Sequence, residues 1–361
     1  MHEALALATQ SIGLTEPNPR VGCVIVAPDG RVIGRGRTQE AGGPHAEVMA
    51  LRDAAARHEI VHGATAYVTL EPCAHHGRTP PCCDALIEAR LGRVVMALVD
   101  PFPQVAGQGA ARLRAAGITV EAGLLAQEAR ELNIGFFSRV QRGRPWVRLK
   151  VAVSLDGRSA LPNGVSQWIT GSAARTDGHT FRRRASAVLT GVGTVLDDDP
   201  RLDVRLVETA KQPLRVVVDS RLETPPTAKL LAPPGRVVIY AARPDAQREA
   251  ELAATGAEIA FQPGPGSKVD LAAMLADLAR RGVNELHVEA GHKLNGSLVR
   301  EGLVDEFLVY MAPRLLGTGR ELAAFGPLER LEDSLDLRWI GVERIGDDLR
   351  LIARPPGREN F

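Results

Sequence analysis

The stretch AYVTLEPCAHHGRTPPCCDALIEARLGRVVMALV, residues 66–99, decides the fold. Its first residues, 66–70, alternate and include β-branched types, which reads as a strand. A loop rich in proline, histidine and cysteine follows, then a helix over 82–89 and a second apolar strand over 93–99. Strand, loop, helix and strand in that order are the repeating unit of a layered α/β domain. Upstream, the pattern gives an amphipathic stretch over 3–12, a turn at Pro17-Asn18-Pro19 and a buried strand over 21–26. The turn Pro28-Asp29-Gly30 leads into another strand, and a helix covers 45–57. Downstream come a helix near 110–115, a strand at 118–120 and a long helix over 126–141. That helix ends at Arg142-Gly143-Arg144-Pro145, where Gly and Pro stop it for backbone reasons. A domain boundary is therefore expected at residue 145, giving domains 1–145 and 146–361. The second block shows strands at 146–153, 187–190, 214–218, 237–240, 285–289 and 306–310, with helical patterns such as 271–281 between several of them. Both domains read as α/β.

The chain has 361 residues, 45% hydrophobic and 24% charged, which suffices for two cores without cross-links. A net charge of +1 and 4% aromatic residues argue against nucleic acid, whose binding needs a basic groove and stacking platforms. No apolar run approaches the roughly 18 residues of a membrane span, and the N-terminus does not read as a signal peptide. Four cysteines, three of them crowded beside histidines at 73–83, are no disulfide framework. They point to a metal site in a reducing compartment, the cytoplasm.

His45-Ala46-Glu47 stands at a predicted helix start, Pro72-Cys73 follows a strand, and Cys82 opens the next helix. A catalytic zinc takes three imidazole or thiolate ligands and one water, whose pKa it lowers to about 7. Glu47 points away from the His45 bearing, so it can carry a proton from the water to a leaving amine. His-x-Glu followed by Pro-Cys is the pattern of zinc-dependent nucleobase deaminases, although those usually place two residues between their cysteines and here there are eight. A structural zinc knuckle recruiting His75 or Cys83 as fourth ligand is the competing reading. Glu47 separates the two, since a closed four-ligand site has no use for a carboxylate beside its metal. Adjacent helix-start residues point about 100° apart, so Cys82 and Cys83 are not expected to share one ion. Cys23 lies in an apolar strand and reads as core.

The string from Leu70 through Cys73-Ala74-His75-His76-Gly77-Arg78-Thr79-Pro80-Pro81-Cys82-Cys83 resembles the bifunctional riboflavin-biosynthesis deaminase/reductases. So do Pro17-Asn18-Pro19-Arg20-Val21-Gly22 and Gly42-Gly43-Pro44-His45-Ala46-Glu47. The second domain carries Lys150-Val151-Ala152-Val153-Ser154-Leu155-Asp156-Gly157, Ser166-Gln167-Trp168-Ile169-Thr170, Thr194-Val195-Leu196-Asp197-Asp198-Asp199-Pro200 and Val288-Glu289-Ala290-Gly291. The resemblance implies a cytidine-deaminase-like layered domain followed by a dihydrofolate-reductase-like domain. It implies that His45, Cys73 and Cys82 hold one zinc, with Glu47 as proton shuttle, to deaminate a diaminohydroxy-ribosylaminopyrimidine 5′-phosphate. Asn18 would contact ring or ribose, though an Asn between two prolines is equally a turn residue.

For the second domain the resemblance implies NADPH reduction of the ribosyl side chain to ribityl, and a homodimer. Cofactor contacts fall on Ala152, Trp168, Thr194, Asp198, Ser220 and a loop made of Gly291, His292, Lys293, Leu294, Asn295, Gly296 and Ser297. Substrate contacts fall on Ser166, Arg182, Leu202, Arg205 and Glu289. Physical reasons attach to several of these. Guanidinium groups such as Arg182 and Arg205 suit a sugar phosphate, although Arg183 and Arg184 beside Arg182 also fit a plain basic helix face. Glycines at 291 and 296 would let backbone amides approach a pyrophosphate. Trp168 would wall the nicotinamide pocket or sit in the core. Ser220 would hold the extra phosphate of NADPH at the end of the 214–218 strand, with Arg221 either assisting or simply a solvated arginine.

Overall fold

The structure, a computed structural model, describes residues 1–75, 80–102 and 106–361. It divides into two compact units, Met1–Arg142 and Gly143–Phe361. The N-terminal unit runs α1 (His2–Thr9), β1 (Gly22–Val26), β2 (Val32–Arg37), α2 (Ala46–Ala56), β3 (Thr65–Val68) and α3 (Cys82–Glu88). It continues with β4 (Arg93–Met96), α4 (Gln108–Ala115), β5 (Thr119–Ala122), α5 (Ala126–Leu132) and α6 (Ile134–Arg142). Its sheet has the order β2-β1-β3-β4-β5. The β1–β2 and β1–β3 pairs are antiparallel, whereas β3–β4 and β4–β5 are parallel, each joined by a helical crossover as parallel neighbours require.

Close approach of α2 to the sheet sets the site. A Cβ at Gly36 would lie 2.1 Å from the Ala46 carbonyl oxygen, so only glycine admits the first turn of α2 at this distance. The buried face of α2 is correspondingly small, Ala46, Ala50 and Ala54. The expected helix over 126–141 is instead two helices parted at Asn133. The Asn133 side chain accepts from the Arg20 backbone N–H at 2.8 Å and donates to its carbonyl at 2.9 Å, a pairing that bridges distant chain and interrupts the run.

The C-terminal unit contains β6 (Trp146–Ser154), β7 (Arg158–Ala160), α7 (Ser172–Arg184), β8 (Ala187–Gly191), α8 (Val192–Asp198), β9 (Leu214–Val218) and β10 (Val237–Ala241). There follow α9 (Ala246–Ala253), β11 (Glu258–Phe261), α10 (Leu271–Arg280), β12 (Glu285–Val288) and α11 (His292–Arg300). The chain closes with β13 (Glu306–Ala312), β14 (Arg320–Glu321), β15 (Arg338–Ile345) and β16 (Asp348–Arg354). Nine strands form one sheet, β11-β10-β9-β8-β12-β6-β13-β16-β15, parallel from β11 to β13 and antiparallel beyond.

The two faces of this sheet differ. Val147, Leu149, Val151 and Val153 of β6 pack with Leu286, Val288 and the α10 residues Met274, Leu275 and Leu278 in an apolar core. The alternate residues carry charge into a buried layer. Arg148 is 2% exposed, with Glu285 (Oε2 at 3.0 Å) and Glu306 as partners. Arg184 of α7 meets Glu285 at 2.8 Å and Arg354 meets Glu306 at 2.6 Å. Period-two alternation here separates a dry face from an ionic one, not a buried face from a solvated one.

Candidate active sites

In the N-terminal unit three ligand-bearing side chains converge. His45 is the N-cap residue of α2, Cys73 lies in the loop after β3, and Cys82 opens α3. His45 Nδ1 lies 3.2 Å from Cys82 Sγ and 3.6 Å from Cys73 Sγ, and the three donor atoms all fall within 4.8 Å of one another. Cys73 Sγ also accepts the Cys82 backbone N–H at 3.3 Å. The hydrogen bond between the two thiols pulls Cys73 down, with His45 helping against the cost of burial, and pushes Cys82 up. One imidazole and two sulfurs, one of them readily a thiolate, form the donor set of a three-ligand zinc.

Glu47, in the first turn of α2, is buried, and burial followed by the Cys73 charge pushes its carboxyl up to about 7. Such a group gains and loses a proton near neutrality. Cys83 is turned away. Its Sγ lies 3.2 Å from the Pro72 carbonyl and 3.6 Å from that of Gly109, and burial pushes the thiol up to about 12. Among the described residues, His75 is not part of the ligand group either. His76, the other ligand type in the loop, lies outside the described residues. Asn18 sits half-buried in the turn after α1, where its backbone N–H donates to Thr15 at 2.9 Å.

Two supports of this centre were not read from the sequence. The buried Glu71 carboxylate accepts backbone N–H groups from Asp100 (3.1 Å), Gly107 (2.9 Å) and Ala110 (2.9 Å), which ties the start of α4 to the loop bearing Cys73. A Cβ at Gly109 would fall 2.0 Å from the Pro72 carbonyl oxygen. An acidic residue before Pro72-Cys73 was the one available signal, and helix-start amides are the partners such an acid seeks.

In the C-terminal unit a cleft of about 1680 Å³ opens at the carboxyl ends of β6, β12, β8 and β9. This is where open parallel sheets bind ligands. Ala152, Ser166, Trp168, Arg182, Leu202, Arg205 and Glu289 all line it, as do Thr194 and Asp198 of α8 and Ser220 after β9. Glu289 takes a two-pronged contact from Arg182, at 2.5 and 2.9 Å, and lies 3.8 Å from Lys150 Nζ. Burial opposes its charge, but Arg182 and Lys150 outweigh burial and hold the carboxyl well below its usual range. Burial draws the Lys150 ammonium down, with Glu289 opposing. Lys150 belonged to the family string but had no role there; its half-buried amine in the cleft is visible only in three dimensions.

The arginine run resolves residue by residue. Arg182 faces the cleft and also donates to the Asp203 carbonyl at 2.9 Å, while Arg184 belongs to the buried ionic layer. Arg201 and Arg205 share the Asp203 carboxylate at 2.9 and 2.7 Å. Leu202 between them has φ +53°, a left-handed backbone costly for leucine that redirects the chain at the cleft wall. His179 Nδ1 accepts the Arg205 N–H at 3.2 Å, and burial plus Arg182 and Arg205 push this imidazole down to about 4. Trp168 is 59% exposed under the Arg175 guanidinium, 4.5 Å from its ring centre, so it is not a core residue.

The stretch 291–297 is not a loop. Gly291 is the N-cap of α11 with no side-chain cap, and the first turn of the helix lines the cleft; among the described residues its N–H groups have no capping side chain. His292, Lys293, Leu294, Asn295 and Ser297 line the cleft, but Gly296 does not. A Cβ there would lie 2.1 Å from the Ala324 carbonyl oxygen, so Gly296 serves helix packing. Asn295 is buried and donates to Leu322 at 2.9 Å. Free helix-start amides, Lys293 and a long cleft suit a dinucleotide pyrophosphate.

Family models match both units. Residues 1–98 match the cytidine and deoxycytidylate deaminase zinc-binding region, and residues 145–351 match the RibD C-terminal domain. The chain is 44% identical over 364 residues to riboflavin biosynthesis protein RibD of Escherichia coli K12, covering 97% of each. To its Aquifex aeolicus counterpart it is 42% identical over 354 residues, covering 98% of this chain and 97% of the other. The solved structure of Acinetobacter baumannii RibD superposes with a TM-score of 0.89 at 42% identity, over 98% of this chain and 97% of that one. A Thermotoga maritima diaminohydroxyphosphoribosylaminopyrimidine deaminase/5-amino-6-(5-phosphoribosylamino)uracil reductase superposes at 0.88 with 34% identity and the same coverage.

Proposed function

We propose that this chain, which belongs to the RibD family of bifunctional riboflavin-biosynthesis proteins, works its deaminase centre with His45, Cys73, Cys82 and Glu47 and its reductase centre with Lys150, Arg182 and Glu289. It is a hydrolase and an oxidoreductase, with a cytidine-deaminase-like fold followed by a dihydrofolate-reductase-like one. It removes the 2-amino group of a diaminohydroxy-ribosylaminopyrimidine 5′-phosphate as ammonia, then reduces the ribosyl side chain to ribityl with NADPH. The assignment of domains to residues 1–145 and 146–361 is supported by the division into units after Arg142.

His45, Cys73 and Cys82 would hold the zinc. Bound there, zinc supplies Lewis-acid activation of a water at neutral pH. Glu47 would take a proton from the attacking water and return it to the departing amine, which leaves as ammonia. Glu47 is buried in the first turn of α2, two residues from the ligand His45, where a carboxyl can serve both halves of the transfer. Asn18 orients the ring or ribose.

NADPH supplies the hydride of the second reaction. The other substrate is anchored by Arg205, Arg182 and the Leu202 backbone at its sugar phosphate, and by Ser166 and Glu289. Reduction also takes up a proton, and Lys150 is the ammonium of the cleft that burial makes more acidic. Ala152, Trp168, Thr194, Asp198, Ser220 and the start of α11 contact the cofactor; the packing of Gly296 leaves it a supporting role.

The observation that carries this reading is the separation of two chemistries: a sulfur–imidazole triad beside a neutral-range carboxyl in one unit, and a cation-lined cleft in the other. Two assays on purified protein test it. Glu47→Gln should lower ammonia release by about 100- to 10,000-fold while NADPH oxidation with deaminated substrate survives. Arg205→Ala should do the reverse. Loss of both activities in Glu47→Gln, with the fold intact by circular dichroism, would overturn the two-site reading.

A homodimer is supported by β15. Among the described residues this strand ends the sheet with one edge unpaired, and its Trp339, Ile340 and Val342 are 64%, 42% and 58% exposed. Apolar edges of this kind are normally covered, and pairing with a second copy covers both at once. Cytoplasmic location is supported by four free cysteines. No helix among the described residues is long and apolar enough to cross a membrane.

A further inference from the structure

We propose that His179 is a positioning residue of the reductase: its neutral imidazole holds the backbone of Arg205, and with it the guanidinium that meets the sugar phosphate. The inference rests on the reading of Arg182 and Arg205 as substrate anchors.

The segment 201–205 forms the cleft wall that carries Leu202 and Arg205, yet it belongs to no helix or strand. Chain outside a ladder must find other partners for its buried N–H and C=O groups. Side chains supply them here. Gln212 accepts the Val204 N–H at 2.7 Å and donates to the Val204 carbonyl at 2.9 Å. Arg182 donates to the Asp203 carbonyl at 2.9 Å, and His179 Nδ1 accepts the Arg205 N–H at 3.2 Å. His179 and Arg182 stand three positions apart on α7, so they share one face of the helix. That face grips the wall on either side of Val204.

Holding the backbone also holds the side chain. One oxygen of the buried Asp203 carboxylate accepts from Arg205 Nη1 at 2.7 Å, the other from Arg201 at 2.9 Å. Arg205, fixed at its N–H and at its guanidinium, lines the cleft. His179 is 5% exposed and is not part of the lining, so it acts through Arg205 and does not touch the substrate.

The chemistry of the ring fits this task. An imidazole that accepts at Nδ1 carries its proton on Nε2. Nε2 lies 3.4 Å from Arg182 Nη1, so two N–H donors abut there and the ring is a neutral spacer against the second anchor. A charged ring would lose its acceptor and add a cation beside Arg182 and Arg205. Burial, then Arg182 and Arg205, push its pKa down to about 4, against the opposite pull of Glu289 beyond β12 and of Asp203. The acceptor is therefore present throughout the neutral range.

Steady-state kinetics of the full chain with NADPH and the deaminated substrate test this. His179→Leu and His179→Met remove the acceptor and should raise the substrate KM about 10-fold, while kcat, the KM for NADPH and ammonia release stay within about twofold. His179→Gln retains an acceptor oxygen and should keep the substrate KM within about twofold of the unaltered chain. In an Arg205→Ala background, His179→Leu should change the substrate KM by less than about twofold, because the group it places is gone. Additive effects in that cycle, a Gln variant as impaired as the Leu variant, or an unchanged KM in both apolar variants overturns the role. Should neither apolar variant fold, the NMR nitrogen shifts of His179 in the unaltered chain decide, and a proton found on Nδ1 refutes the proposal. If Arg205→Ala alone left the substrate KM unchanged, the reading of the anchors would fall first and the role of His179 with it.

Discussion

Replacing Glu71 should loosen the zinc loop, and the size of the effect follows from three hydrogen bonds. One carboxylate oxygen accepts from Asp100 and Gly107, the other from Ala110. In Glu71→Gln the amide oxygen can keep the first two partners, but its NH2 then faces the Ala110 N–H, donor against donor. The loss is one charge-assisted bond, about 1.5–3 kcal/mol. Glu71→Ala leaves three buried N–H groups without an acceptor and should cost about 3–5 kcal/mol. For a unit of this size each kcal/mol lowers Tm by several degrees, so calorimetry on the full chain should show the Ala variant's first transition about 10 °C lower and the Gln variant's about half as far. Cys73 lies two residues along the same loop, so zinc retained after gel filtration should fall in the same order. A Gln variant with unchanged Tm and full zinc would refute the idea that this carboxylate holds the loop.

Other consequences are as direct. Cys82→Ala should lose zinc by metal analysis, whereas Cys83→Ala should keep it and cost about 1–2 kcal/mol of stability through its lost carbonyl contacts; the reverse pattern would move the third ligand to Cys83. The His179 imidazole, depressed to about 4 by burial and by Arg182 and Arg205, should titrate near that value by NMR. Because the unfolded chain takes up this proton near 6.5, His179 destabilises the fold progressively as pH falls from about 6.5 to 4, and His179→Gln should flatten that part of the pH–stability curve. Trp339→Asp on the exposed edge strand should convert a dimer to monomer by light scattering; a dimer that survives this change is built elsewhere.

The alternation of strand and helix was legible because it depends on local steric preference and on the period of apolar residues. The helix at 82–89 and the strands at 21–26 and 214–218 appear within a residue or two of where the pattern puts them. The break at Asn133 was not legible, since it depends on a partner, Arg20, more than a hundred residues away. Gly296 misled for a related reason. In sequence a glycine shows only that something comes near; here it is the Ala324 backbone.

By itself the sequence determined the chemistry that could be present: His45, Cys73 and Cys82 as donor types, a carboxylate at Glu47, arginines for a phosphate. Ligand type and helix-start position are local properties, and a reader of residues can reach them. Tertiary structure alone decided what those groups became. It brought a nitrogen and two sulfurs within 4.8 Å, turned Cys83 toward two carbonyls instead of the metal, and buried Glu47 deeply enough to move its proton affinity to neutrality. It also buried Arg148 of β6 between carboxylates of two other strands and set Lys150 beside Glu289 at the cleft. Proton affinity and pairing depend on what surrounds a group in space, and those surroundings come from segments that lie far apart along the chain.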